Sequence, residues 1–317
     1  MRAARRWALL LLCAVLLSGC AAVPPESVIR DSGQDQPLIS ADTRDLPPDQ
    51  VAAALYFRYG DTAYLAAQER VISVEKNETL EKALVLALLE GPAAAPALGP
   101  LFPPGTQLLA TASQGNTLFL TFNEAFMGRY ADEGGDAAVS AEGVLRRQLC
   151  LDALSATLTE AGLCAKVQVL VYRGARQGTS MRLPAGFLDQ SGDETLLPPL
   201  TRNENSLLTP HNTAALILDA WRGQDWAALF DLTARGDDRP REQSAFDAFA
   251  EGRVLTFYAL SPGSVAQDGQ SAVVGADLTL RGEAGDDTAA GYPLRLIREG
   301  GLWKIRYDDL ISMMNPV

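Results

Sequence analysis

One histidine, His211, in a chain of 317 residues leaves little from which to build proton-transfer or zinc chemistry. The two interior cysteines, Cys150 and Cys164, lie far from it in sequence, so no zinc-ligand spacing exists. Gly-x-Ser-x-Gly, His-Glu-x-x-His and phosphate-loop patterns are all missing. Basic residues are also scarce, 27 Lys and Arg against 39 Asp and Glu, which argues against nucleic acid as a partner. No apolar run reaches the roughly 20 residues that cross a bilayer as a helix. Neither a catalytic set nor a cofactor or metal site is therefore expected, and the chain reads as non-enzymatic.

What is present begins at the N-terminus. Arg2, Arg5 and Arg6 precede the apolar run from Trp7 to Leu17, which closes on Leu17-Ser18-Gly19-Cys20. Charge, apolar length and small residues make a secretory signal. With cysteine directly after Ser-Gly, the segment resembles the bacterial lipoprotein signal. That resemblance implies cleavage after Gly19, a diacylglyceryl group on Cys20, and palmitate-type acyl chains anchoring the chain to the cell membrane on its extracytoplasmic face. Several buried acyl chains make such an anchor stable where one would be marginal. Losing residues 1–19 removes three arginines and no acid, taking the formal charge from −12 to −15.

Residues 20–50 hold Pro24, Pro25, Pro37, Pro47 and Pro48 among polar residues without periodicity, and read as a flexible tether. At 47% hydrophobic and 21% charged, the remainder is globular and long enough for two domains, 51–190 and 209–317, with a linker at 191–208.

In the first domain, a strand at Ala53–Phe57 is followed by two short ones at Tyr64-Leu65 and Arg70–Val74. Asn77 is placed to cap a helix whose apolar positions are Leu80, Ala83, Leu84, Ala87 and Leu88. Gly91-Pro92 ends it. A hairpin runs from Gln107 to Phe122 around Gln114-Gly115-Asn116. A long helix, about Ala137 to Glu160, points Val144, Leu145, Leu149, Leu154 and Leu158 inward, and Val167–Val171 reads as an interior strand. Leu55-Tyr56-Phe57, Leu88-Leu89-Glu90-Gly91-Pro92, Pro104-Gly105-Thr106, Leu118 to Asn123, Thr157 to Glu160 and Val167 to Val171, in that order, resemble the GerMN-domain family of sporulation and spore-germination lipoproteins. The resemblance implies an α/β domain over about Val51 to Gln190. It departs from the family at Leu120-Thr121-Phe122-Asn123, where a Val-Asp-Leu-Ser-like strand end is usual, and in the long loop at Arg129 to Asp136.

The second domain opens with Thr209 as N-cap and Pro210 at the first helical position. Ala214, Ile217, Leu218 and Trp221 form the apolar face of that helix. Short helices follow around Trp226 to Phe230 and Glu242 to Ala250, then strands at Val254–Leu260, Ser271–Leu280, Tyr292–Arg298 and Leu302–Tyr307, which make an α+β unit with an antiparallel sheet. Ala220-Trp221-Arg222-Gly223-Gln224-Asp225-Trp226 and Gly301-Leu302-Trp303-Lys304-Ile305 are similar to the cone-shaped family of nuclear transport factor two and scytalone dehydratase. That family contains enzymes, ligand binders and association modules, so the fold does not choose among them.

His211, in the first turn of its helix, reads as a solvent-exposed residue. Asp132-Glu133-Gly134-Gly135-Asp136 lacks the alternating acids of a calcium loop and reads as solvated, as do Asp237-Asp238 and Asp286-Asp287. Trp221, Trp226, Trp303, Phe246, Phe249 and Tyr258 read as core, with a pocket lining as the alternative. Cys150 and Cys164 read as two buried thiols, with a disulfide left open. The expected function is a lipid-anchored scaffold or component of an envelope assembly, by resemblance in sporulation or germination, binding other envelope proteins. The alternative is a small-ligand-binding lipoprotein that uses the second domain.

Overall fold

The computed structural model describes residues 47, 49–95, 97–133, 140–174, 179–236, 239–250, 252–281 and 285–315. The signal, Cys20 and nearly all of the tether lie outside the described residues, as do Gly134, Gly135, Asp136, Asp237, Asp238 and the side chain of Phe249.

Strand β1 (Gln50–Tyr59) pairs antiparallel along its length with β2 (Leu65–Ser73), from Gln50 opposite Ser73 to Arg58 opposite Leu65. The two short strands expected here are therefore one, because the unbroken ladder on β1 carries the polar residues between them. β3 (Leu98–Gly99) covers the other edge of β1, and the run Ala53–Arg58 is buried. Helix α1 (Leu80–Glu90) lays Ala83, Leu84, Val85, Ala87 and Leu88 against this sheet. Its cap is Thr79, whose hydroxyl accepts the Lys82 N–H, and not Asn77. Gly91, at φ 88°, ends the helix as its sequence position implied.

A second sheet has the order β4 (Leu108–Gln114), β5 (Thr117–Phe122), β6 (Lys166–Tyr172), β7 (Ser180–Arg182). β4 and β5 turn through Gly115-Asn116, where Gly115 takes φ 58°. β5 and β6 form the one parallel ladder among the described strands, joined by the long helix α2 (Ala141–Glu160). Ser140 caps α2 through the Gly143 N–H at 3.1 Å. The expected start at Ala137 lies outside the described residues. A short helix α3 (Gly186–Asp189) follows β7. α/β character is confined to the β5–α2–β6 crossover, and the chain as a whole is α+β.

Residues 191–208, expected as a linker, are bonded along the first sheets instead. Leu200 exchanges backbone hydrogen bonds with Val167 at 2.9 and 2.7 Å, and the Leu208 N–H donates to the Leu65 carbonyl at 2.7 Å.

Helix α4 (Pro210–Arg222) opens on Thr209 and Pro210 as the sequence implied and buries Ala214, Ile217, Leu218 and Trp221. α5 (Trp226–Asp231) and α6 (Gln243–Ala250) follow. The antiparallel sheet then runs β8 (Leu255–Val265), β9 (Ser271–Arg281), β10 (Asp286–Glu299) and β11 (Leu302–Ile305). β10 is longer than expected because Asp286–Ala289 also pair with β9, opposite Arg281–Leu278, before a bulge between Ala289 and Tyr292 where Gly291 takes φ 64°. The last strand stops at Ile305, and Tyr307–Met314 form a further helix, α7, in place of the expected strand end. Leu310, Met313 and Met314 share its buried face, and Asp308 and Asp309 sit in its first turn, where the helix dipole favours acids.

Buried apolar residues gather in two clusters. One centres on β1, α1, α2, β5 and β6, and the other on α4, β9, β10, β11 and α7. No helix among the described residues is long and apolar enough to cross a membrane, which says nothing about spanning strands.

Candidate functional site at the seam between the two cores

The segment leading from the first core to the second is fixed by buried charge. Arg202 donates to Glu160 at 2.9 Å, to Glu204 at 2.5 Å and to the Tyr56 hydroxyl at 3.1 Å. Burial opposes the Arg202 charge, but Tyr56, Glu204 and Glu160 outweigh it and hold the guanidinium above its ordinary value. Beside it, Asp152 on α2 accepts from Gln148 and Asn203, each at 3.1 Å. Burial pushes its carboxyl up, and the hydrogen bonds from Asn203, Ser206 and Gln148 only partly offset this. α2, β1 and residues 202–206 are thereby joined in one network.

Immediately beyond, the turn after β10 meets β2. Leu65, Ala67 and Leu208 face Gly301, Leu302 and Trp303 across a small cleft. Gly301 has φ +84°, and a Cβ there would lie 3.0 Å from the Ala67 carbonyl oxygen, so glycine is required both by conformation and by space. The Arg298 guanidinium lies 5.0 Å from the Trp303 ring centroid. At the end of β1, Tyr59 packs on the second core, where burial and Asp231 raise its hydroxyl pKa. This seam is ion-paired, hydrogen-bonded and close-fitting, which suits it to holding two surfaces in fixed register.

Of the residues singled out from sequence, Trp303 lines this cleft and the others lie elsewhere or outside the described residues. Cys20 lies outside the described residues. His211 is exposed, with Nδ1 3.3 Å from the Ser261 carbonyl oxygen. Cys150 is buried and Cys164 half-buried, both as free thiols, and burial pushes each above its ordinary pKa. Trp221 and Phe246 are fully buried and Trp303 nearly so, with the Trp221 indole N–H donating to the Arg253 carbonyl at 2.8 Å. Trp226 and Tyr258 are partly buried against the same core. The Tyr258 hydroxyl, pushed up to about 12 by burial and by Asp219, donates to that carboxylate at 2.9 Å. Asp286 and Asp287 are exposed at the start of β10. Among the described residues, no group of three or more His, Cys, Asp and Glu is placed to hold a metal.

Asp132 is exposed, as expected of a solvated loop, although it pairs with Arg146, whereas the Glu133 side chain is buried against Arg147, which corrects the solvated reading for that residue. Arg146 binds Asp132 at 2.7 Å, and Arg147 forks onto Glu133 at 2.7 and 2.6 Å. Tyr130 lies beneath both arginines, its hydroxyl donating to the Leu101 carbonyl at 2.8 Å. An adjacent Arg146-Arg147 pair matched to an adjacent Asp132-Glu133 pair was the signal available. Helical periodicity assigned only the apolar positions of α2 and left these aside.

Residues 54–172 match the Germane family model, described as "Sporulation and spore germination". This stretch of the chain is similar to that family. The tandem GerMN domains of the sporulation protein GerM from Bacillus subtilis are similar in structure at 17% identity and TM-score 0.34, covering 48% of this chain and 46% of that one. This chain thus spans about half the length of that relative. The first GerMN domain of the same protein gives 16% identity and TM-score 0.33, with 48% of this chain and 98% of that one covered. A candidate lipoprotein from Clostridium perfringens gives 21% identity and TM-score 0.28, with 49% and 92% covered. No curated protein matches the chain.

Proposed function

We propose that this GerMN-bearing chain is a lipid-anchored, non-catalytic component of an extracytoplasmic assembly that serves sporulation or spore germination. The observation that carries the reading is the coincidence, in one chain, of a Germane match at residues 54–172 with the lipobox Leu17-Ser18-Gly19-Cys20 upstream. Cys20 carries the acyl chains, residues 20–50 give reach from the membrane, and the folded part is displayed to other envelope proteins. Residues 51–190 and 209–317 act as two domains, the second of the cone-shaped nuclear-transport-factor-two type, held in register by the seam at Gly301 and Arg202. The ligand-binding alternative draws less support, because Trp221, Phe246 and Trp303 fill the second core.

The test is chemical crosslinking of intact cells, followed by purification of the chain from the membrane fraction. Other envelope proteins should be recovered with it, and Cys20→Ala should move the chain to the soluble fraction and remove them. Recovery of the chain alone, with the membrane fraction unchanged by Cys20→Ala, refutes the reading.

A further inference from the structure

The antiparallel sheet of the second core has two unlike faces. Along β9 and β10, Val274, Ala276, Leu278, Leu294 and Leu296 point inward and are buried in the core that contains α4. The residues between them point outward, and a sheet face in water is ordinarily polar. This one is not. Phe257 is 58% and Val273 39% exposed, and Ala259, Ser261 and Pro293 beside them are exposed as well. From the row of Phe257 and Thr279 to the row of Ser271 and Ile297, the described outward residues of β8, β9 and β10 carry two charges, Asp277 on β9 and Arg295 on β10, both exposed.

The register makes this face self-complementary. Gly275 pairs with Pro293 at its middle. Asp277, opposite Ala259, lies two residues to one side of that row, and Arg295, opposite Val273, lies two residues to the other. Phe257, opposite Thr279, and Ile297, opposite Ser271, stand four residues out on the same two sides. A two-fold axis lying in the face and crossing the strands at the Gly275–Pro293 row exchanges the two sides. It sets Asp277 of one copy against Arg295 of the other at about 7 Å from the axis, and Phe257 against Ile297 at about 14 Å, and each contact is made twice. Gly275, without a side chain, keeps the centre low enough for the two faces to meet. Both charges have capacity for a partner. Asp277 accepts the Gly291 N–H at 2.7 Å through Oδ1 alone, and Arg295 is 64% exposed with Asp309 at 3.7 Å, beyond hydrogen-bond reach.

We propose that the outer face of β8, β9 and β10 is an interface between two copies of this chain, related by that axis. Apolar surface of this kind is uncommon on a sheet that stays in water, and the opposed charges fix the register in which it is covered. The pairing is independent of the assembly reading above, since it uses only the chain's own second core.

The test replaces Pro293, nearest the axis, by cysteine in the full chain, and treats native membranes with a short bismaleimide. A band at twice the chain's mass, containing this chain alone, is expected, and the chain that keeps Pro293 should not give it. Arg295→Glu or Asp277→Lys, each added to Pro293→Cys, brings like charges together twice and should lower the band about tenfold or more. Co-expression of those two variants under different tags should restore a band carrying both tags, because every pair then joins opposite charges, and restoration shows that both variants are folded. Absence of the doubled band, a band containing a different protein in its place, an undiminished band in Arg295→Glu, or no restoration on co-expression overturns the proposal.

Discussion

The guanidinium of Arg147 grips the carboxylate of Glu133 at 2.7 and 2.6 Å, with the arginine side chain at 0% and the glutamate at 8% exposure. Further bonds run from Arg147 to the Gly143 carbonyl at 3.0 Å and the Gly128 carbonyl at 3.4 Å, and from the Tyr130 N–H to Glu133 at 3.0 Å. The pair ties α2 to the segment after β5, and therefore fastens the crossover that makes the parallel β5–β6 ladder. Breaking a buried pair from one side leaves an uncompensated charge and costs about 3–5 kcal/mol. Glu133→Gln should lower stability to urea by about that amount, while Arg147→Met with Glu133→Leu should recover most of it. Equal losses in the single and double variants would mean that the pair is not what fastens the helix.

Acid should act through the same residue. Arg147 holds the Glu133 carboxyl below its ordinary 4.5, so its contribution is fully present above that value and is lost as pH falls through the lowered folded value. Asp152 has the opposite sign. Its carboxyl is raised by burial, so the cost of its charge is relieved as pH falls. Urea midpoints measured below about pH 4.5 should therefore fall less steeply in Glu133→Gln than in the unaltered chain. An unchanged acid slope would remove Glu133 from the account.

Gly301 offers a test of the seam. Gly300 and Gly301 both have positive φ, 61° and 84°, but only Gly301 would bring a Cβ against the Ala67 carbonyl. Gly300→Ala should cost about 1 kcal/mol for its backbone alone. Gly301→Ala should cost more and should speed amide exchange at Leu208, whose N–H donates to Leu65 in the strand that Gly301 touches. Matching effects of the two substitutions would show that the approach to Ala67 does not hold the seam.

The start of α1 separates two residues that the sequence presents almost equally. Thr79→Ala should cost about 1 kcal/mol by removing the bond to the Lys82 N–H, and Asn77→Ala should be nearly neutral. Thermal unfolding of the two variants distinguishes them. A larger loss at Asn77 would reverse the assignment.

Much of the fold was legible because it rests on local chemistry. Gly91-Pro92 ends α1, Gly115 turns the hairpin and Thr209-Pro210 opens α4, each within a few residues of the signal that specifies it. The elements misread depend on distant partners. β2 is continuous because β1 lies beside it, α7 follows β11 because Leu310, Met313 and Met314 meet a core assembled from strands far upstream, and residues 191–208 are ordered by Val167 and Leu65. For the same reason the seam and the Arg147–Glu133 pair escaped a reading by periodicity.

Under the proposed function, a membrane-anchored chain presents its Germane-matching domain, residues 54–172, to neighbouring envelope proteins. Val71 and Leu109, 53% and 49% exposed on β2 and β4, are large apolar side chains that the fold leaves at the surface of that domain. A photocrosslinking amino acid placed at either position in living cells should give discrete adducts with membrane-associated proteins, and Cys20→Ala should abolish them. Adducts that persist unchanged when Cys20 is replaced would contradict the account.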